Sequence, residues 1–287
     1  MSGTRSFTPS SQLPEEIRTA FHADHELWYP GLAASLVQEF ERQWGDEGWS
    51  RDTYGTQRWI IGDPAAPRME RGVVNAGWGE LVVEVLPASI IRLESGIPPL
   101  IALPPTGASE HLQAALERIA QLDELAESLG SLIRSCHVLA AERGYDVSHT
   151  TPALPLSIFT SIPAPDERHA ELRLAESVIH EAMHLQLTLI ESTVRLVEQP
   201  DATAFSPWKQ TARPIQGVLH GLYVFAVIHE ALKALAARDP GTHEYAEARC
   251  REIAADIAAM GEARESLTSD GAVLWDALVS RIGVRYQ

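Results

Sequence analysis

Thiols are scarce in this chain. Cys136 and Cys250 are the two cysteines in 287 residues, too few for a disulfide framework or a thiolate zinc site, and that economy points to a reducing compartment. Long apolar runs are missing as well: no stretch of about 18 apolar residues occurs, and Met1 to Leu13 carries one Arg5 and no apolar core of signal-peptide length. Neither export nor a membrane span is expected, and the chain reads as cytoplasmic. Basic charge is also short, with 23 Lys and Arg against 39 Asp and Glu, a formal charge of -16. Without a local basic patch, no nucleic-acid role is expected. The acidic excess itself is ordinary for a solvated surface.

What is present is a chain 45% hydrophobic and 22% charged, which excludes disorder and collagen and supplies material for a large core. From Leu13 to Trp44 the pattern is helical and broken at Pro30, with Leu32, Leu36, Val37 and Phe40 on one face. Between Trp59 and Leu103, Val73-Val74, Leu81 to Val85 and Ile90 to Leu93 are short β-rich runs, read as a small antiparallel sheet. Ser109 starts a helix marked by Leu112, Leu116, Ile119, Leu122 and Leu125, stopping near Gly130. Leu132 to Ala141 is a second helix or a strand. Thr151 to Pro165, with prolines around Leu156 to Thr160, suits an edge strand. Everything after it reads as helix: Asp166 to Glu198, Pro214 to Arg238, His243 to Gly261 and Thr268 to Ile282.

The expected fold is therefore α+β, mostly α-helical with a small antiparallel sheet and a metal site between two core helices. Residues 1–150 form a helical and small-sheet part assigned to substrate recognition. Residues 151–287 form the helical catalytic part, and the two make one compact unit.

The chemistry centres on Val178-Ile179-His180-Glu181-Ala182-Met183-His184, an H-E-x-x-H motif in apolar, proline-free surroundings that place it mid-helix. At about 100° per residue, His180 and His184 lie roughly 40° apart on one face and can bind one metal, with Glu181 turned beside it. Two buried histidines satisfied by neighbours are the competing reading. A catalytic metal takes three protein ligands and leaves positions open, so a third is sought. Leu187 and Ile190 stand where the extended zincin pattern needs Gly and His. Glu191 and Glu198 lie about 10 and 20 Å further along the same helix at 1.5 Å per residue, out of reach. On the next long helix, His220 and His229 are half a turn out of phase, so one of them can face the metal. His220, in an uncharged apolar first turn, is the choice; a packed core histidine at 220, or Glu230 as the ligand, are the alternatives.

Ahead of that helix, Ser206-Pro207-Trp208-Lys209-Gln210-Thr211-Ala212-Arg213-Pro214 crowds two cations and an aromatic before a proline suited to a first helical position. An Arg there can clamp a carboxylate through two parallel hydrogen bonds. A surface turn is the plain alternative.

The block from Leu174 to His184, together with Ser206-Pro207-Trp208 and Arg213 to Phe225, resembles the HExxH-motif family encoded with ribosomally synthesised, post-translationally modified peptides. That family contains iron(II)- and 2-oxoglutarate-dependent peptide β-hydroxylases, and the resemblance covers about Leu154 to Ala237. It implies that His180, His184 and His220 hold Fe(II), that 2-oxoglutarate chelates the metal beside O2, and that Arg213 or Lys209 meets the distal carboxylate near Trp208. It also implies a ribosomally made precursor peptide as partner. Three imidazoles suit zinc equally well. The second hypothesis is accordingly a zinc hydrolase with Glu181 as general base. A metal-stabilised binding module is the third.

Overall fold

The computed structural model describes residues 12–22, 26–29, 31–45, 71–84, 108–151 and 155–283. Ile90 to Leu93, expected as a strand, lies outside them. Two short helices come first, α1 (Leu13–His22) and α2 (Leu32–Gly45). Leu13, Ile17 and Phe21 of α1 and Leu32, Leu36 and Val37 of α2 are buried, the faces their spacing dictates.

Strands β1 (Arg71–Asn75) and β2 (Glu80–Glu84) follow, then helices α3 (Ala108–Ile119) and α4 (Asp123–Leu132), and strands β3 (Ser135–Leu139), β4 (Ser148–His149) and β5 (Ser157–Ser161). The sheet runs β1-β2-β3-β5-β4. β1 and β2 pair antiparallel, as do β4 and β5, whereas β2 with β3 and β3 with β5 are parallel. The antiparallel expectation is thus corrected to a mixed sheet. Parallel neighbours need a crossover, and α3 with α4 supplies the one between β2 and β3. β5 is an interior strand with all five residues buried, and β4 takes the edge, so the proline-based edge assignment fails. β3, undecided between helix and strand, is a fully buried strand. Because β5 pairs with β3 and β4, the sheet crosses residue 150.

The helix expected from Ser109 to Gly130 is two helices. Gly130 lies inside α4, where it admits the Trp78 ring; a Cβ there would sit 2.6 Å from Trp78 Cδ1. It is a close-approach glycine and not a stop.

The remainder is built on two long helices, α5 (Ala170–Glu191) and α6 (Ile215–Arg238), with α7 (His243–Ala258) and α8 (Ser269–Ile282) packed beside them. α6 is long and apolar enough to cross a membrane by composition alone, but 72% of that window is buried inside the protein, as in a core helix. α5 ends at Glu191, short of the expected Glu198, because the chain turns to bury Val194 and Leu196 and bridges Val197 to Leu267. The all-helical expectation also fails between the long helices, where β6 (Thr203–Ser206) and β7 (Thr211–Pro214) form an antiparallel hairpin. Its turn, residues 207 to 210, has Gln210 in the left-handed region at φ 51 and Lys209 N–H donating to Ser206 O at 3.2 Å. Pro214 caps α6 from one position earlier than expected.

Candidate functional site

α5 is anchored by apolar side chains on most of its circumference, Val178, Ile179, Ala182, Met183 and Leu187 among them, and this rigid burial fixes its polar positions. His180 and His184, one turn apart, face α6 with Nε2 atoms 3.2 Å apart. Two imidazoles bonded to one ion at about 2.1 Å with that separation subtend about 100° at the metal, a ligand angle that tetrahedral and octahedral ions both accept. From α6, His220 stacks on His184 with ring centroids 5.3 Å apart and Nδ1 atoms 3.0 Å apart.

The three histidines predicted from sequence are therefore brought together, but in a string. His184 offers Nε2 to His180 and Nδ1 to His220. Among the described residues, no group of three or more His, Cys, Asp or Glu side chains forms a cage for a metal ion. Donor chemistry fits a metal at the His180 and His184 pair. Burial, with the Lys209 and Arg249 charges behind it, lowers the His180 pKa to about 4. Burial, then the neighbouring histidines and Lys209, lowers His184 to about 2. Both rings are neutral near pH 7, the state a metal requires.

The other candidates for the third ligand are elsewhere. Glu230 accepts Leu27 N–H at 3.2 Å and pairs with Arg281 at 3.2 Å. His229 is buried with its Nδ1 unpartnered, and its carbonyl accepts from Cys250.

Glu181, at 3% exposure, lies with Oε1 3.9 Å from His180 Nε2. Ser148 and Thr150, at the edge strand β4, hydrogen-bond to it. That segment is held against α5 by Arg173, which grips Asp146 through Nε and Nη2 at 2.8 Å each. Burial raises the Glu181 pKa to about 7 against the opposing pull of those hydroxyls and of Lys209. A carboxyl raised on folding contributes full stability below its unfolded value near 4.5 and loses it as pH rises through about 7. The Glu181→Gln protein, free of metal, is therefore expected to exceed the parent in stability at pH 8 by up to about 3 kcal/mol, with the gap closing towards pH 4. Urea midpoints measured across that range in a chelator check this, and a pH-independent gap contradicts it.

The β6–β7 hairpin closes one wall. Trp208 stacks on Phe225 at 4.7 Å, and Phe225 meets the His180 ring edge-on at 5.4 Å. Gly221 permits this, since a Cβ there would lie 2.6 Å from Trp208 Cζ3. The two cations of the segment separate. Lys209, at the turn, is felt by His180, Glu181 and His184. Arg213 sits exposed on β7 over the first turn of α6, its Nε 3.9 Å from where a Cβ on Gly217 would stand, and none of those three groups is shifted by it.

Sequence reasoning missed Arg249, which stands 5.6 Å over the Phe225 ring and pairs with Glu176 at 2.7 Å, joining α7 to α5 one turn before His180. It also set Glu191 aside by measuring along α5 from His184, yet Glu191 Oε2 lies 2.9 Å from His220 Nε2. Gln216, four residues before His220 on α6, donates to the same oxygen at 2.8 Å, and that spacing was the available signal.

Neither models of known protein families nor curated proteins yield a match to the chain.

Proposed function

We propose that the protein is an iron(II)- and 2-oxoglutarate-dependent oxygenase that hydroxylates a side-chain β-carbon of a ribosomally made precursor peptide in the cytoplasm. One observation carries the reading: two neutral imidazoles, His180 and His184, at a separation suited to one ion, beside a wall that combines an aromatic stack with a cation. The resemblance of the two blocks around His180 and His220 supplies the reaction class. When bound, the metal with 2-oxoglutarate and O2 supplies the oxidising power, the keto acid leaving as succinate and carbon dioxide.

The chain's own residues bind and exclude. His180 and His184 would hold the ion through their Nε2 atoms, and His220 completes the histidine cluster. Lys209 offers the ammonium for the distal carboxylate, a point charge without a guanidinium fork. Trp208 and Phe225 cover the His180 side of the site with apolar surface, which strengthens any ionic contact made there.

A zinc hydrolase is the second reading, favoured by Glu181, whose carboxyl titrates near neutrality beside His180 as a general base must. Under that reading Glu181→Gln costs at least about 10²-fold in rate. The deciding measurement is succinate formation from 2-oxoglutarate by iron-loaded protein under air and under argon. Oxygen-dependent succinate is expected. Its absence, with peptide cleavage by zinc-loaded protein, would transfer the assignment to the hydrolase.

A further inference from the structure

The contacts on the far side of His184 have no part in ligation as it stands. Glu191 and His220 are each 14% exposed, with His220 Nε2 2.9 Å from Glu191 Oε2. A carboxylate accepts and does not donate, so Nε2 of His220 carries a proton, and in the neutral ring Nδ1 then holds a lone pair. The 3.0 Å contact between the Nδ1 atoms of His220 and His184 is then a hydrogen bond when His184 carries its proton on Nδ1. A neutral imidazole has one N–H, so Nε2 of His184 is left as a lone pair. That is the atom 3.2 Å from His180 Nε2.

We propose that Glu191 and His220 form a positioning relay, in which the carboxylate sets the tautomer of His220, His220 sets that of His184, and His184 Nε2 becomes the atom offered to a metal. His220, expected from the sequence to be the third ligand, becomes the partner that orients a ligand. Carboxylates and backbone carbonyls commonly hold the far nitrogen of a metal-bound histidine; here a second imidazole stands between. Gln216 steadies the far end by donating to the same Glu191 oxygen. Only the last step of the relay rests on the metal reading.

Long-range proton–nitrogen NMR of the full chain without metal reads the tautomers directly. Nδ1–H on His184 and Nε2–H on His220 are expected; Nδ1–H on His220 would overturn the relay. Adding Zn²⁺ as a diamagnetic probe should move His180 Nε2 and His184 Nε2 to ligated shifts, whereas a ligated shift at His220 Nδ1 would overturn it equally. In Glu191→Leu, which removes the acceptor, both rings should become tautomer mixtures and Zn²⁺ affinity should fall about 10- to 100-fold. Glu191→Gln, whose amide oxygen still accepts, should recover most of that loss. Unaltered tautomers in Glu191→Leu would refute the proposal. If the parent takes up no Zn²⁺ yet shows both tautomers, the relay stands and the oxygenase reading falls.

Discussion

The His184→Ala protein is expected to lose metal binding by well over about 100-fold, beyond the roughly 10- to 100-fold that removing an outer partner of a ligand costs. His184 is the junction of the cluster, touching His180 through one nitrogen and His220 through the other. Its removal leaves His180 as a single imidazole, with no second donor at the 3.2 Å separation that two ligands of one ion require. Substitution of His220 leaves the pair intact and should fall inside the smaller range. A competition titration of Co²⁺ against a chromophoric chelator, for the parent and both variants, reads the ratio. Equal losses in the two variants would make His220 a ligand of the same rank. Retention of parent affinity by His184→Ala would remove the metal from this place altogether.

Local patterns carried over from sequence to structure where a helix buries one face. Leu112, Leu116 and Ile119 are fully buried, as are Val178 and Met183 around the motif, because a period of 3.6 is written into neighbouring residues. Sheet order was not legible in the same way. Whether β2 pairs with β3 in parallel depends on α3, α4 and a returning chain, and no local pattern encodes a pairing made across that distance. The β6–β7 hairpin escaped notice because its strands are four residues each, β7 is exposed throughout, and β6 alternates with Ala204 and Ser206 buried and Phe205 exposed, which is no apolar alternation in the sequence. The site divides similarly. His180, Glu181 and His184 follow from spacing on one helix, and His220 from apolar context on the next. The Glu191 contact depends on how α5 and α6 lie side by side, and the Ser148 and Thr150 contacts depend on where β4 ends. Those residues carry no signature until the chain is folded.

Lys209→Ala should raise the 2-oxoglutarate requirement about 30-fold or more, equivalent to about 2 kcal/mol, while Arg213→Ala leaves it near the parent value. From sequence, Arg213 ranked first, because a guanidinium grips a carboxylate with two bonds and an ammonium with one. Position reverses that order. Lys209 stands at the hairpin turn next to Trp208, and its charge reaches both motif histidines and Glu181, whereas Arg213 lies on exposed β7. A cation that depresses the pKa of two histidines also attracts an anion brought between them, and the apolar faces of Trp208 and Phe225 reduce the screening of that attraction. Metal occupancy should be unchanged in both variants, since neither residue is a ligand. Lys209→Arg should keep most of the affinity if charge at the turn is what matters. The measurement is a 2-oxoglutarate titration of the iron-loaded parent and the three variants at one ionic strength. A rise confined to Arg213→Ala would restore the guanidinium as the carboxylate partner, and no rise in any variant would remove the hairpin from the co-substrate site and weaken the oxygenase reading with it.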